Sequence, residues 1–199
     1  MPIKSSIIKP IARLWTAKLK RKAENPLKNQ EAVLQHLLKH GKNTEIGKNY
    51  QLGNVASYAE FQQAVPLGDY ENLAPYISQI LEGKQNVLWP GKPIYFAKTS
   101  GTTSGTKLIP ITKHSIPYHV GSARNAVFSY IAETGDASAF DGGMIFLSGS
   151  PILEKTGGIL TGRLSGIVNH HIPPYLKNNQ LPSWTTNCID DWEEKLNAI

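Results

Sequence analysis

Ile94 to Ile111 is the stretch that most constrains the fold: two short apolar runs are separated by residues suited to neither a helix nor a strand. Ile94 to Ala97 and Leu108 to Ile111 read as strands. Thr99 to Lys107 between them holds nine residues: two glycines, one lysine and six hydroxyl residues. A loop of this kind suits a polyanion. Glycine allows positive φ and close approach of the backbone. Successive N–H groups can then line one concavity. The hydroxyls add donors, and Lys107 adds a point charge. The loop is not a Walker A sequence. Three residues rather than four separate Gly101 from Gly105, and Thr106 stands between Gly105 and Lys107. A G-x-G-x-x-G pattern is also lacking. On residue pattern alone, a solvated turn and a phosphate cradle both stay open.

Around this loop the chain alternates helical and extended patterns, which predicts an α/β fold. Asn25-Pro26 reads as a helix start and Gly41 as its stop. Residues 43–56 read as a loop. A short helix is expected from Ser57 to Ala64, and a partly helical stretch from Tyr70 to Leu81 around Pro75. Trp89 to Pro93 is a tight turn that feeds the first strand. After the second strand, Thr112 is the expected cap of a helix over 113–133. Gly143 to Leu147 reads as a short buried strand. Ile189, Trp192, Leu196 and Ile199 mark an amphipathic helix starting near Asp190. That pattern reaches Ile199 without a stop signal, so the sequence reads as a fragment.

Candidate reactive groups are few. His36 and His40 lie four apart on one helical face, but no third ligand accompanies them, which favours a solvated or capping role. The adjacent His170 and His171 point to packing or surface roles, not a shared metal. Ser148 and Ser150 lack a G-x-S-x-G elbow and read as loop formers. No catalytic or metal-ligating residue is assigned.

Composition limits the alternatives. The 199 residues are 40% hydrophobic and 18% charged, a globular balance. The single cysteine, Cys188, fits a reducing compartment, and a cytoplasmic location is expected. The net charge of +6 belongs to one end: residues 1–23 carry seven basic side chains and no acid, leaving 14 basic and 15 acidic residues elsewhere. This argues against a nucleic-acid partner. Ile3, Ile7, Ile11, Leu14, Trp15 and Leu19 give the arm an apolar stripe, which Pro10 could break or restart. A helix packed on the rest of the protein is the leading reading of residues 1–23. Contact with an anionic membrane and organelle targeting are the alternatives.

The loop from Thr99 to Lys107 resembles the phosphate-binding signature of adenylate-forming enzymes. It is most similar to that of the GH3 acyl acid–amido synthetases, in their bacterial branch. Val65 to Ile77, Asn86 to Gly91, Phe146 to Pro151 and Thr161 to Ile167 add to the likeness, which runs from about Leu34 onward. The resemblance implies that residues 24–199 are part of the large N-terminal ATP- and acyl-binding domain of such an enzyme, with its remainder and a mobile C-terminal domain missing. It also implies a ligase that uses ATP and Mg to form an acyl-adenylate from a carboxylic acid, then passes the acyl group to an amino acid or other amine. Thr99, Ser100, Gly101, Thr102, Thr103, Ser104, Gly105 and Lys107 would hold the phosphates. Arg124, on the helix after the second strand, would contact the acyl substrate. The family pattern departs here from that of acyl-CoA ligases, since Gly105-Thr-Lys-Leu-Ile-Pro110 replaces Gly-x-Pro-Lys-Gly. An acyl-CoA ligase-like enzyme and a non-catalytic nucleotide-binding module remain as alternatives, and the fragment alone is expected to be inactive.

Overall fold

A four-stranded sheet forms the centre of the computed structural model, which describes residues 3–99, 105–177 and 179–199. The chain begins with α1 (Ile3–Ala23), α2 (Pro26–Gly41), α3 (Glu45–Asn49), α4 (Tyr58–Ala64) and α5 (Tyr70–Leu81). The hairpin β1 (Tyr95–Lys98) and β2 (Leu108–Ile111) follows, then α6 (Ile116–Thr134). Next come β3 (Met144–Ile145), β4 (Glu154–Thr156), β5 (Ile159–Arg163), α7 (Leu164–Asn169) and α8 (Pro174–Lys177). β6 (Gln180–Leu181), α9 (Trp184–Asn187) and α10 (Trp192–Asn197) complete the order.

The main sheet runs β2-β1-β5-β4. β1 and β5 are parallel, with Lys98 opposite Arg163, while β2 and β4 flank them antiparallel. Side chains of β1 alternate between two layers, as strand geometry requires. Phe96 is fully buried with Ile77, Ile80, Val87 and Ile159 on the α5 side. Ala97 joins Ile111 and Ile167 on the α7 side. Burying a side chain such as Phe96 is worth about 1.5–3 kcal/mol. Pro75 lies inside α5, whose start is fixed by an Asp69–Asn72 capping box.

Four local expectations change. Residues 43–56 are not all loop: they hold α3 and a 3-10 turn at Leu52–Asn54. The hydroxyl of buried Thr44 accepts from the Gly47 N–H at 3.1 Å and donates to the Gly41 carbonyl at 2.6 Å. Helix α6 starts after Thr112, because Thr112 and Ser115 exchange N–H-to-hydroxyl bonds of 3.0 and 3.1 Å that hold a turn ahead of it. The strand expected over 143–147 shortens to Met144–Ile145, which pairs only with β6, and Ile145 is exposed.

The fourth change concerns α1. It continues through Pro10 without restarting at Ile11. Its expected stripe is buried only in part: Ile7, Ile11 and Leu14 point outward and Trp15 is half-buried against α6, while Ser5, Ala12 and Thr16 are buried. The physical reason is packing against α6, where Gly121 is buried; small side chains let two helices approach closely. Ala12, Ile131, Ala137 and Phe140 form the core of this contact. Among the described residues, no helix is long and apolar enough to cross a membrane.

Candidate functional site

The carboxyl ends of parallel strands are the usual binding edge of an open α/β sheet. Here β1 and β5 end side by side at Lys98 and Arg163. The loop that the resemblance assigns to phosphates leaves the sheet at this edge, after Lys98. Its base is tied by the Thr99 N–H, which donates to the Lys107 carbonyl at 3.0 Å. The Lys107 N–H donates in turn to Thr99 Oγ1 at 3.3 Å. Gly105 has φ 78, a left-handed backbone that side chains disfavour, and a Cβ there would meet open space. Its requirement is conformational rather than steric. Ser100, Gly101, Thr102, Thr103 and Ser104 lie outside the described residues.

Lys107 is half-buried, with its ammonium 5.2 Å from the centroid of the Tyr70 ring. The Tyr70 hydroxyl accepts from the Leu108 N–H at 2.9 Å, so α5 fixes the exit of the loop. Arg124 lies on α6 and is exposed. Its guanidinium sits 4.2 Å from the centroid of Trp15, whose indole N–H donates to Asn125 at 2.8 Å. The partner that the structure gives Arg124 is thus an aromatic ring of α1.

Beside the loop lies a polar cavity of about 600 Å³. Its walls are the end of β1, the end of β5, residues 147–152 and α10. The Ser148-Gly149-Ser150-Pro151 turn is rigidly seated. A Cβ on Gly166 would lie 2.2 Å from the Ser150 carbonyl oxygen, and one on Gly149 would lie 2.8 Å from Arg163 Cδ. The Ser165 hydroxyl accepts from the Gly149 N–H at 3.0 Å. The buried Ser148 hydroxyl accepts from Asn169 at 2.9 Å, and Asn169 accepts from Gln180 at 3.0 Å. Ser148 and Ser150 therefore act as loop formers, as the sequence indicated.

Lys195 is the residue that sequence reasoning missed. It is 3% exposed, lines the cavity, and donates to the Ser148 carbonyl at 3.5 Å. Trp192, Leu196 and Ile199, the expected apolar stripe of α10, are exposed instead. Asp191 caps the helix by accepting from the Glu194 N–H at 2.8 Å. Hydrophobic periodicity carries no signal for a helix that turns its lysine inward. Lys98 pairs with Glu154 at 2.5 Å. Among the described residues, Lys195 and Arg163 have no carboxylate partner.

The histidines take packing positions. His36 and His40 have ring centroids 4.2 Å apart, and His40 stacks on Trp89 beside His114. Among the described residues, no group of three or more His, Cys, Asp or Glu is arranged to hold a metal. His170 bonds the Pro151 carbonyl at 2.7 Å. Burial, and then the charge of His170, lowers the His171 pKa from its ordinary value.

Comparison with known proteins bears on all of this geometry. The model of the GH3 family N-terminal domain matches residues 16–198. Indole-3-acetic acid-amido synthetase GH3.2 of Arabidopsis thaliana is 35% identical over 94 residues, covering 46% of this chain and 17% of that protein. Jasmonoyl--L-amino acid synthetase JAR6 of Nicotiana attenuata is 33% identical over 85 residues, covering 42% of this chain and 15% of that protein. The matched stretches thus span less than a fifth of these relatives' lengths. The solved GH3.15 acyl acid amido synthetase has the same fold over 92% of this chain and 32% of its own, with a TM-score of 0.75 at 19% identity. With nearly the whole sequence matched by the model of the N-terminal domain, and the fold shared with that structure, the chain belongs to the GH3 family.

Proposed function

We propose that the chain serves ATP-dependent activation of a carboxylic acid as an acyl-adenylate, followed by transfer of the acyl group to an amino acid or other amine. The observation that carries this reading is the Thr99–Lys107 loop at the carboxyl edge of the parallel pair, in a chain of the GH3 family. Relatives named as amido synthetases, and a solved neighbour in complex with 2,4-DB, support it. A cytoplasmic location belongs to the same proposal. So does the division into an arm, residues 1–23, and an ATP- and acyl-binding portion, residues 24–199.

In the first step the substrate carboxylate oxygen attacks the α-phosphorus of ATP, the bond to the β-phosphate bridging oxygen breaks, and pyrophosphate leaves. Backbone N–H groups and hydroxyls of Thr99, Ser100, Gly101, Thr102, Thr103, Ser104 and Gly105 hold the β- and γ-phosphates. Preorganised donors of this kind are worth about 2.7–4 kcal/mol each when they act on developing charge. The tied loop base and positive φ of Gly105 suit such a cradle. Lys107 adds charge at its exit, and Arg124 grips the acid if it exchanges the Trp15 ring for a carboxylate. Mg bound to the nucleotide phosphates would neutralise charge there. In the second step an amine nitrogen attacks the acyl carbon. The bond to AMP breaks with its electron pair on the phosphate oxygen, and the nitrogen proton goes to solvent.

The test is carboxylate-dependent ATP–pyrophosphate exchange with the full-length product of the reading frame and a panel of acids. Exchange should require an acid and fall at least a hundredfold in Thr102→Ala. Nucleotide binding with no exchange for any acid would leave a binding module, and ADP release would indicate a phosphotransferase.

A further inference from the structure

We propose that the outward face of α1 is a docking surface for an anionic phospholipid bilayer, on which the helix lies lengthwise. Its inward face is already occupied, since Ala12 and Trp15 fix the helix to α6. Ile7, Ile11 and Leu14 recur outward at helical spacing, and Lys18 and Arg21 continue the same stripe toward the end of the helix. Leu14 is 76% exposed and Ile7 57%. From Ile7 to Arg21, every exposed side chain is aliphatic or cationic. Helix α2 provides the contrast: its exposed residues include Gln30, Glu31 and Gln35, the neutral and acidic groups of a face turned to water.

Charge selects the occupant. Residues 1–23 carry no acid. Lys20 is paired with Glu133, but among the described residues Arg13, Lys18 and Arg21 are in no ion pair. Anionic headgroups complement these cations, while the aliphatic stripe enters the boundary between headgroups and acyl chains. A nucleic acid would use the cations but leave Leu14 in water. A partner helix needs a groove, and this face is a ridge: neither of the two cavities described above is lined by any of residues 3–21. A bilayer is broad enough to receive a ridge. Because no helix among the described residues is long and apolar enough to cross it, the contact is peripheral.

The surface is also preformed. An amphipathic segment that folds only at the membrane loses binding free energy to its own ordering. Helix α1 is already formed and held along α6, so it presents its stripe at no such cost. Ile7 to Leu14 spans about 10 Å of helix. Each cation beyond it, close to an anionic surface, adds about fivefold in affinity. The match to the family model begins at residue 16, so Ile7, Ile11 and Leu14 lie ahead of it. The proposal is therefore independent of the chemistry proposed above.

The experiment is co-sedimentation of the full-length product with vesicles of phosphatidylcholine and phosphatidylglycerol (about 7:3) at about 0.1 M salt. The protein should bind these at least tenfold more tightly than vesicles of phosphatidylcholine alone, and about 0.5 M salt should weaken binding at least fivefold. Lys18→Gln with Arg21→Gln should lower the affinity at least tenfold, and Ile7→Ser with Leu14→Ser at least fivefold. Lys39→Gln with Lys42→Gln, an equal charge change at the far end of α2, should stay within twofold. Three results overturn the proposal: no binding to the mixed vesicles, an equal loss in the Lys39 and Lys42 variant, or no loss in the Ile7 and Leu14 variant. The urea midpoint without vesicles decides whether the face is free. It should be unchanged by Ile7→Ser with Leu14→Ser. A clear fall would mean that another part of the full-length protein covers the stripe, which also overturns the proposal.

Discussion

His171 shows how one side chain sets a pH dependence. Its Nε2 is buried without a hydrogen-bond partner among the described residues, and its ring meets Tyr95 edge-on at 5.6 Å. Burial and the neighbouring His170 hold its pKa below the ordinary value. Between the folded value and the unfolded value of about 6.5, the unfolded chain binds more protons. Stability is therefore fully present above the unfolded value and falls as the pH drops below it, down to the folded value. The urea midpoint should decrease between pH 7.5 and 5.5, and His171→Phe should flatten that decrease. An unchanged slope in the variant would assign the pH effect to other groups. The sequence allowed packing or surface roles for His170 and His171, and the packing that buries His171 is set by contacts it does not show. The phosphate loop lies at the other extreme. Its glycine and hydroxyl content marks it as a loop between two strands, because such content acts locally and does not depend on distant packing; what it binds rests on the resemblance and on the proposal. Lys195 was invisible for the opposite reason: its burial comes from contact with Ser148, 47 positions earlier.

At the scale of elements, α1 decides what the basic arm is. The sequence marked its helix and placed Trp15 in the apolar stripe, but Ile7, Ile11 and Leu14 of that stripe face outward while the small Ser5, Ala12 and Thr16 are buried. Trp15 is the anchor of that contact. It bonds Asn125, lies under Arg124 and meets Phe128 edge-on at 6.3 Å. Trp15→Ala should cost about 1–3 kcal/mol of stability by urea denaturation. Ile7→Ser, on the outward face, should cost less than about 0.5 kcal/mol. Equal losses for the two substitutions would mean that the helix packs on its other face. The main hairpin needed no such correction. Its second strand, Leu108–Ile111, falls on the expected apolar run, and the first, Tyr95–Lys98, lies one residue beyond the expected Ile94–Ala97.

For the molecule as a whole, the notable property is the apolar surface it leaves open. Leu14, Leu27, Leu67 and Ile145 are each more than two-thirds exposed. A groove of about 870 Å³, mostly apolar, lies between α2, the Val87–Trp89 segment and the start of α6. Patches of this kind favour association. The 199-residue chain alone should sediment as oligomers with increasing concentration, and a single monomeric species across the range would count against this. The α/β class and the two strands that flank the loop were legible in the sequence. The flanking strand β4 and the pairing of β3 with β6 were not, since strands of two or three residues carry little periodicity. Helix α10 adds a consequence of its own. With its lysine inside and its apolar residues outside, it gains little from the hydrophobic effect and is held largely by polar contacts. Such a segment opens at a lower free energy than the sheet it leans on. Its amide protons should therefore exchange with solvent sooner than those of β1 and β5, making the six residues of α10 a local gauge of what occupies the cavity they help to close.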